Sequence, residues 1–464
     1  MRILCFFIVL GIAAHVNAQA PKWRTLPMPP AAVRYDDCFF LTPEMGWAIH
    51  PYNFDVVTGT DTTTYQGRIW KTTDGGDSWT LQLDSCHMYL RAVGFADSLH
   101  GWATNLGWNP VPDSLYHYYD SLYHHNDTTL MIETSDGGKT WQKADNKIIG
   151  TKPPGICGMH VFNDTLAYAV GRYSGPAYML KTINGGKTWK SIDMNSYASY
   201  LIDCHFWTPD SGIVVGGSVM VDSLVSPLIL FTSDGGDHWV TRYHGSGWYY
   251  DEWCWKISFP RPDLGYVSVE TFSRTGYLLK TIDHGVTWKK ITVTGSADLQ
   301  GVGFLNDSVG WTGGWDTINT GYATTNGGKS WKVAGIGKNL NRFHFFGDTL
   351  AYASGQSIFK MTVAKPNAVE ESKSLFDLGN YPNPFTDATS IHFALMKDEH
   401  ITLAIYDMLG KELAEVLNED RSKGEYTLSL SEYLGNRQKF PAGEYYYILT
   451  AGTNRLEQKM IRLN

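Results

Sequence analysis

The stretch TTDGGDSW at 72–79 returns five more times, as TSDGGKTW at 134–141, TINGGKTW at 182–189, TSDGGDHW at 232–239, TIDHGVTW at 281–288 and TTNGGKSW at 324–331. Its closing Trp recurs every 43 to 62 residues, the period of a four-stranded propeller blade. The phrase reads as a hairpin turn. Asp74, Asp136, Asn184, Asp234, Asp283 and Asn326 can accept backbone N–H bonds, and the Gly two residues later can supply positive φ. His284 replaces the first Gly of one copy and His238 the Ser/Thr of another, so those two turns read as degenerate.

A looser phrase, F-x-x-x-D/E-x-G-W/Y, precedes each turn. It begins at Phe40, Phe95, Phe206, Phe259 and Phe304, with shortened copies at Phe162 and Phe346. Seven such phrases stand against six octapeptides. The seventh runs into SIFKMT (357–362), which matches the strand before a turn, while KWRTLP (22–27) matches the strand after one. Closing the ring with the N-terminal strand leaves no open edge and gives seven blades of four strands.

The octapeptide resembles the Asp-box (BNR) turn of sialidases and, more closely, the repeat of photosystem II stability and assembly factor-like propellers. That resemblance implies a structural turn pinning one hairpin per blade.

After Met361 the composition changes. AKPNAVEESKS (364–374) has almost no apolar content and reads as a linker. Short alternating strands follow: TSIHFAL, ITLAIYDMLGKEL, EYTLSL, AGEYYYILTAG and LEQKMIRLN. They predict a small Ig-like β-sandwich, with Asp407 and Gly410 in a turn. YPNPF, IYDMLGKEL, PAGEYYYIL and a terminal QKMIRLN occur in that order, and this module resembles the type A C-terminal sorting domain of type IX secretion in Bacteroidota. The resemblance implies contact with the secretion machinery, removal by its sortase, and release or surface attachment. The expected fold is all-β: signal peptide 1–18, seven-bladed β-propeller 19–363, linker 364–375, sorting sandwich 376–464.

The N-terminus fits that route. A basic start, an apolar run too short to span a bilayer and Val16-Asn17-Ala18 read as a signal peptide, so the expected location is secreted or outer-surface, via the periplasm. No other stretch approaches transmembrane length. Five cysteines remain after its removal: Cys38, Cys86, Cys157, Cys204 and Cys254. All precede an inner-strand Phe, so they are expected to collect at one end of the channel. Buried thiols and one or two inter-blade disulfides are both open.

With 38 basic and 46 acidic residues the formal charge is -8 and no basic cluster is present, which excludes a phosphate-backbone partner. No cofactor or metal is expected: no Cys/His spacing suits zinc, and His124-His125 lack a carboxylate at fixed spacing.

Blade topology puts the insertions at 50–67 and 105–127, and the connection from blade four to blade five, on the face away from the octapeptide turns. The last two are aromatic-rich, and flat rings beside polar groups suit stacking on sugars or peptide side chains. Trp108, Tyr118, Trp248, Tyr250 and Trp253 are the candidate ligand contacts, with Asp251 and Glu252 as polar partners; a private apolar cluster inside each loop is the competing reading. Two function classes follow: a non-catalytic binding or scaffold module for a glycan or protein, or a propeller glycoside hydrolase, sialidase-like or xyloglucan-active-like. Asp113, Asp120, Asp251 and Glu252 could supply a carboxylate pair for the latter. Against it, Arg261 lacks the sequence of a sialidase arginine motif, and xyloglucan-active enzymes pair two propellers where this chain has one.

Overall fold

The computed structural model describes residues 21–29, 34–51, 67–86, 88–107, 128–173, 175–219, 224–245, 252–271, 275–293, 298–315, 320–363, 375–386, 388–395, 397–407, 411–431, 441–452 and 454–463. The expected signal peptide 1–18, residues 364–374 of the expected linker and most of both blade-one and blade-two insertions lie outside them. The chain divides into two units, Met1–Ala364 and Lys365–Asn464.

Seven antiparallel sheets build the first unit. Blade one runs outward through Asp37–Phe40, Gly46–His50, Gly67–Thr72 and Thr80–Cys86. Blades two to six repeat that order from inner strands Leu90–Phe95, Gly158–Val161, Ala198–Phe206, Glu252–Arg261 and Leu299–Phe304. Blade seven takes Phe343–Phe346, Leu350–Ser354 and Ile358–Thr362 from the far end of the repeat. Its fourth strand is Lys22–Thr25, with Lys22 opposite Thr362 and Thr25 opposite Phe359. The inner strand of blade seven touches those of blades six and one, so the ring closes. Blade three carries a feature absent from the repeat pattern, a short strand Ile148–Ile149 parallel to its outer strand.

The second strands Gly46–His50, Gly101–Asn105 and Ala167–Gly171 are buried at every position. Each is covered on both faces by neighbouring blades, so apolar residues run on without alternation. Outer strands such as Val240–His244 are largely exposed. The F-to-G phrase has a steric cause: a Cβ at Gly46, Gly101, Gly212, Gly265 or Gly310 would fall 2.3–2.5 Å from the ring of Phe40, Phe95, Phe206, Phe259 or Phe304.

Each octapeptide turn is tied through its Thr and its Asp or Asn. In the first, Thr72 Oγ1 donates to Asp74 Oδ1 at 2.8 Å and accepts from Gly76 N–H at 2.8 Å, while Ser78 donates through N–H and Oγ to the two Asp74 oxygens at 2.9 and 2.5 Å. Asp136, Asp234 and Asp283 repeat the pattern, whereas Asn184 and Asn326 accept the backbone N–H at Oδ1 and donate through Nδ2 to the Thr188 and Ser330 hydroxyls at 2.9 and 2.8 Å. The two copies read as degenerate keep these bonds. His238 supplies its ring Nδ1 to Asp234 at 2.7 Å in place of a hydroxyl, and His284 adopts φ 60 where the other turns have Gly.

A second repeat, invisible to the first, locks alternate blade junctions. Trp47, Tyr168, Tyr266 and Tyr352 stack on the inner Phe of the next blade (Phe95, Phe206, Phe304 and Phe40) with centroids 3.4–3.6 Å apart. Over each ring lies a lysine, Lys71, Lys181, Lys280 or Lys360. That ammonium donates to a Gly carbonyl in the next blade's turn at 2.8–3.0 Å. The locks fall between blades one and two, three and four, five and six, and seven and one. Because seven is odd, blade one is locked on both sides, beside the closure.

Cys38, Cys157, Cys204 and Cys254 are buried free thiols. Each sits in a different apolar cluster between blades. Cys86 ends the outer strand of blade one rather than leading into an inner one.

Among the described residues the second unit is a seven-stranded sandwich. Leu375–Tyr381, Ser390–Leu395 and Gly424–Ser429 form one sheet; Glu412–Arg421, Glu399–Tyr406, Gly443–Ala451 and Asn454–Arg462 form the other. Alternating burial along Ser390–Leu395 and Gly443–Ala451 aims one face of each sheet into a core that includes Ile391, Phe393, Leu403 and Tyr447. Asp407 caps a turn, its Oδ1 accepting from Lys411 N–H at 2.9 Å.

Candidate functional site

Inner strands run toward the turn face, so their first residues gather at the opposite mouth of the channel. Asp37, Arg91, Asp203, Lys256, Gln300 and Arg342 stand three or four positions before Phe40, Phe95, Phe206, Phe259, Phe304 and Phe346. They come from six of the seven blades and meet on the axis.

Arg342 of blade seven spans the channel. Its Nε donates to Asp37 Oδ1 at 2.9 Å, and its two terminal nitrogens donate to Asp203 of blade four at 3.0 and 3.1 Å. Lys256 Nζ lies 4.0 Å from the same Asp203. Burial pushes the Asp203 carboxyl up, but Arg342 and Lys256 more than reverse this and hold it below the usual carboxylate range. Burial and the neighbouring Arg342 pull the Lys256 ammonium down to about 8.

Nearer the mouth, Asp36 is paired with Arg34 and with Arg91 Nη1 at 2.9 Å, all three buried. Burial alone raises the Asp36 carboxyl; the two guanidiniums hold it low. Arg91 lies over the ring of Trp255, whose indole N–H donates to Asn341 Oδ1 at 2.7 Å. Arg34 also donates to Gln300, and Gln300 donates in turn to Glu270 at 2.9 Å. Trp253 Nε1 reaches the same Glu270 oxygen at 3.1 Å. Burial raises the Glu270 carboxyl. Trp315, 38% exposed, covers Arg34 with its ring centroid 4.5 Å from the guanidinium carbon. A continuous polar chain thus joins Trp253 to Trp315.

Toward the turn face the channel walls become aromatic, with His160 and His205 edge-to-face at 5.3 Å and His205 stacked on Phe259. Burial lowers His160, His205 and His344 to about 4, 3 and 4.

Of the residues singled out from sequence, Trp108, Tyr118, Trp248, Tyr250 and Asp251 lie outside the described residues. Trp253 is 3% exposed and packs edge-on against Tyr173 and Tyr200. Glu252 accepts from Thr271 Oγ1 at 2.7 Å and Tyr277 Oη at 2.6 Å. Both polar groups are engaged within the fold. Arg34, Asp36, Arg91, Asp203, Lys256, Glu270, Trp315 and Arg342 were missed. The available signal was the charged residue three or four places ahead of an inner Phe in otherwise apolar strands.

The blade topology makes the first unit a β-propeller, and residues 380–462 match the family model described as the secretion system C-terminal sorting domain. The chain is therefore a β-propeller fused to a type IX secretion sorting domain, exported to a secreted or outer-surface location. Among solved structures it is similar to YCF48 from Cyanidioschyzon merolae (18% identity, TM-score 0.48, covering 74% of this chain and 98% of that one). It is also similar to YCF48 bound to D1 peptide (15%, 0.49, 75% and 98%) and to the WD40 propeller domain of Doa1 (10%, 0.47, 75% and 98%). Comparison with curated proteins gives no match. Among the described residues no helix is long and apolar enough to cross a membrane.

Proposed function

We propose that the propeller is a non-catalytic binding module for a glycan or protein ligand, working outside the cell. Ligand meets it at the mouth away from the octapeptide turns. The observation that carries this reading is the state of the channel carboxylates. Asp36, Asp37 and Asp203 are each ion-paired to arginine, and Glu270 accepts from Trp253 and Gln300. A glycosidase needs two carboxyl groups facing substrate, and these four are committed to holding the ring. Trp315 supports a stacking role, since it is partly exposed at the rim with its ring held by Arg34. Trp108, Tyr118, Trp248, Tyr250 and Asp251 are further proposed ligand contacts, while Glu252 and Trp253 are assigned to holding the rim.

The same reading takes the six octapeptides as Asp-box (BNR-type) turns, 1–18 as a signal peptide and 19–363 as the mature cargo of a Bacteroidota-type secretion route. After the linker 364–375, the segment 376–464 is the part that the sortase removes. The test is a panel of polysaccharides and surface proteins offered to the full-length protein, read for binding and for release of reducing ends. Binding without release supports the module; release of new reducing ends overturns it.

A further inference from the structure

The outward face of the four-stranded sheet in the second unit holds a cavity of about 480 Å³, floored by Tyr406, Tyr446, Ile448 and Thr450 and walled by Asp407, Arg455 and Glu457. Its size falls within the roughly 300–1,000 Å³ of small-molecule sites. Strand pairing explains the layout. Tyr406 stands opposite Tyr446 on the neighbouring strand, while Ile448 faces Glu457 and Thr450 faces Arg455 on the next. Side chains 446, 448 and 450 share the face turned from the core and are half-buried, because Tyr445, Tyr447 and Leu449 fill the core side. Tyr406 Oη donates to Glu412 at 3.2 Å, which steadies its ring. Arg455 and Glu457 pair at 3.4 Å with side chains 62% and 50% exposed, and a pair so exposed contributes little to stability. The cavity thus gathers two cross-strand rings and a set of charged and hydroxyl groups that the sandwich core does not need.

We propose that this cavity is a saccharide site for neutral hexose units, with Tyr406 and Tyr446 under the C–H face of a sugar and Asp407, Thr450, Arg455 and Glu457 bonding to its hydroxyls. The floor strands Glu399–Tyr406 and Gly443–Ala451 are laddered on both sides, so their main-chain groups are already paired within the sheet. An extended peptide joins a sheet through main-chain groups at an edge; a ligand here meets side chains only. Flat rings beside clustered donors and acceptors match a sugar, apolar on its faces and hydroxylated around its rim. Two carboxylates against one guanidinium disfavour uronic or phosphorylated sugars and select neutral ones. Export takes the chain to a secreted or outer-surface location, where polysaccharides are met. The site belongs to the second unit alone and does not rest on what binds the propeller.

Maltotriose, cellotriose and mannotriose, neutral trisaccharides of different linkage or sugar, are the probes, titrated against the full-length protein and read by saturation-transfer difference NMR. At least one should take up saturation, most strongly at its ring C–H protons. Tyr446→Ala should weaken affinity for that sugar about fivefold, the worth of one stacked ring. Arg455→Met, at an exposed position, should weaken it as well, and decides alone if Tyr446→Ala does not fold. Trp315→Ala should leave it unchanged. Binding lost in Trp315→Ala but kept in Tyr446→Ala and Arg455→Met places the sugar on the propeller, which overturns this site and leaves the propeller reading standing. No transfer to any of the three sugars also overturns it; slowed export of Tyr446→Ala from the host in that case marks the face as a protein-docking surface instead.

Discussion

Arg342 and Asp203 lie 139 residues apart in sequence yet form a two-pronged ion pair across the propeller axis, with N–O distances of 3.0 and 3.1 Å. The pair belongs to blades seven and four, so it braces the ring along a diameter rather than along its rim. Arg342→Met leaves buried Asp37 without its guanidinium and Asp203 with only Lys256 at 4.0 Å, and the expected loss is about 3–5 kcal/mol. The double variant Arg342→Met/Asp203→Leu should recover part of it. Denaturant unfolding of the two variants checks this, and equal stability of Arg342→Met and the parent protein contradicts it.

The lysine locks act at separate junctions, so their effects should add. Lys181→Met and Lys280→Met each remove a bond to the next blade's turn and should each cost about 1 kcal/mol. Together they should cost roughly the sum. Chemical denaturation of the single and double variants measures it; a strongly non-additive pair would mean that the junctions communicate.

Acid sensitivity follows from the channel histidines. Burial lowers His160, His205 and His344 to about 4, 3 and 4, from 6.5. Between those values and 6.5 the unfolded chain binds more protons than the folded one. Stability is therefore complete above about pH 6.5 and falls as pH drops toward 4, by about 3 kcal/mol per histidine. His205→Phe should flatten the decline of melting temperature between pH 6.5 and 4.5, where an unchanged slope would place the acid loss elsewhere.

The blade count and the closure were legible because each rests on a local rule used repeatedly. Gly must follow Phe where the ring crosses its Cα, and Thr, Asp and Gly must share one turn. The channel was not legible. Asp37, Arg91, Asp203, Lys256 and Arg342 obey no shared residue type, only a shared position, and their partners are chosen across the ring rather than along the chain. The locks escaped for a similar reason: lysine precedes the octapeptide at 71, 181 and 280, but Glu133, Phe231 and Ala323 stand there in the other copies. Trp253 looked like a ligand-facing ring because sequence cannot tell a rim aromatic from one packed beneath the rim.

In the sorting module two of the landmark phrases are one structural unit. Asn383 of YPNPF donates through Nδ2 to the Lys459 carbonyl at 2.9 Å and accepts at Oδ1 from Ile461 N–H at 2.8 Å. Phe385 adds a parallel bridge to Arg462. Asn383→Ala should loosen the terminal strand by about 1–2 kcal/mol. Amide exchange at Ile461 should rise and export of the cargo should fall. Raised exchange with normal export would separate the clamp from recognition.

Binding at the channel mouth is tested most directly by Trp315→Ala. Against a ligand found in the polysaccharide and protein panel, titration calorimetry should show affinity weakened about fivefold to tenfold, the worth of one stacked ring, with the melting temperature unchanged. Undiminished affinity, or turnover of the ligand by the parent protein, would contradict the assignment of that mouth as a non-catalytic binding site.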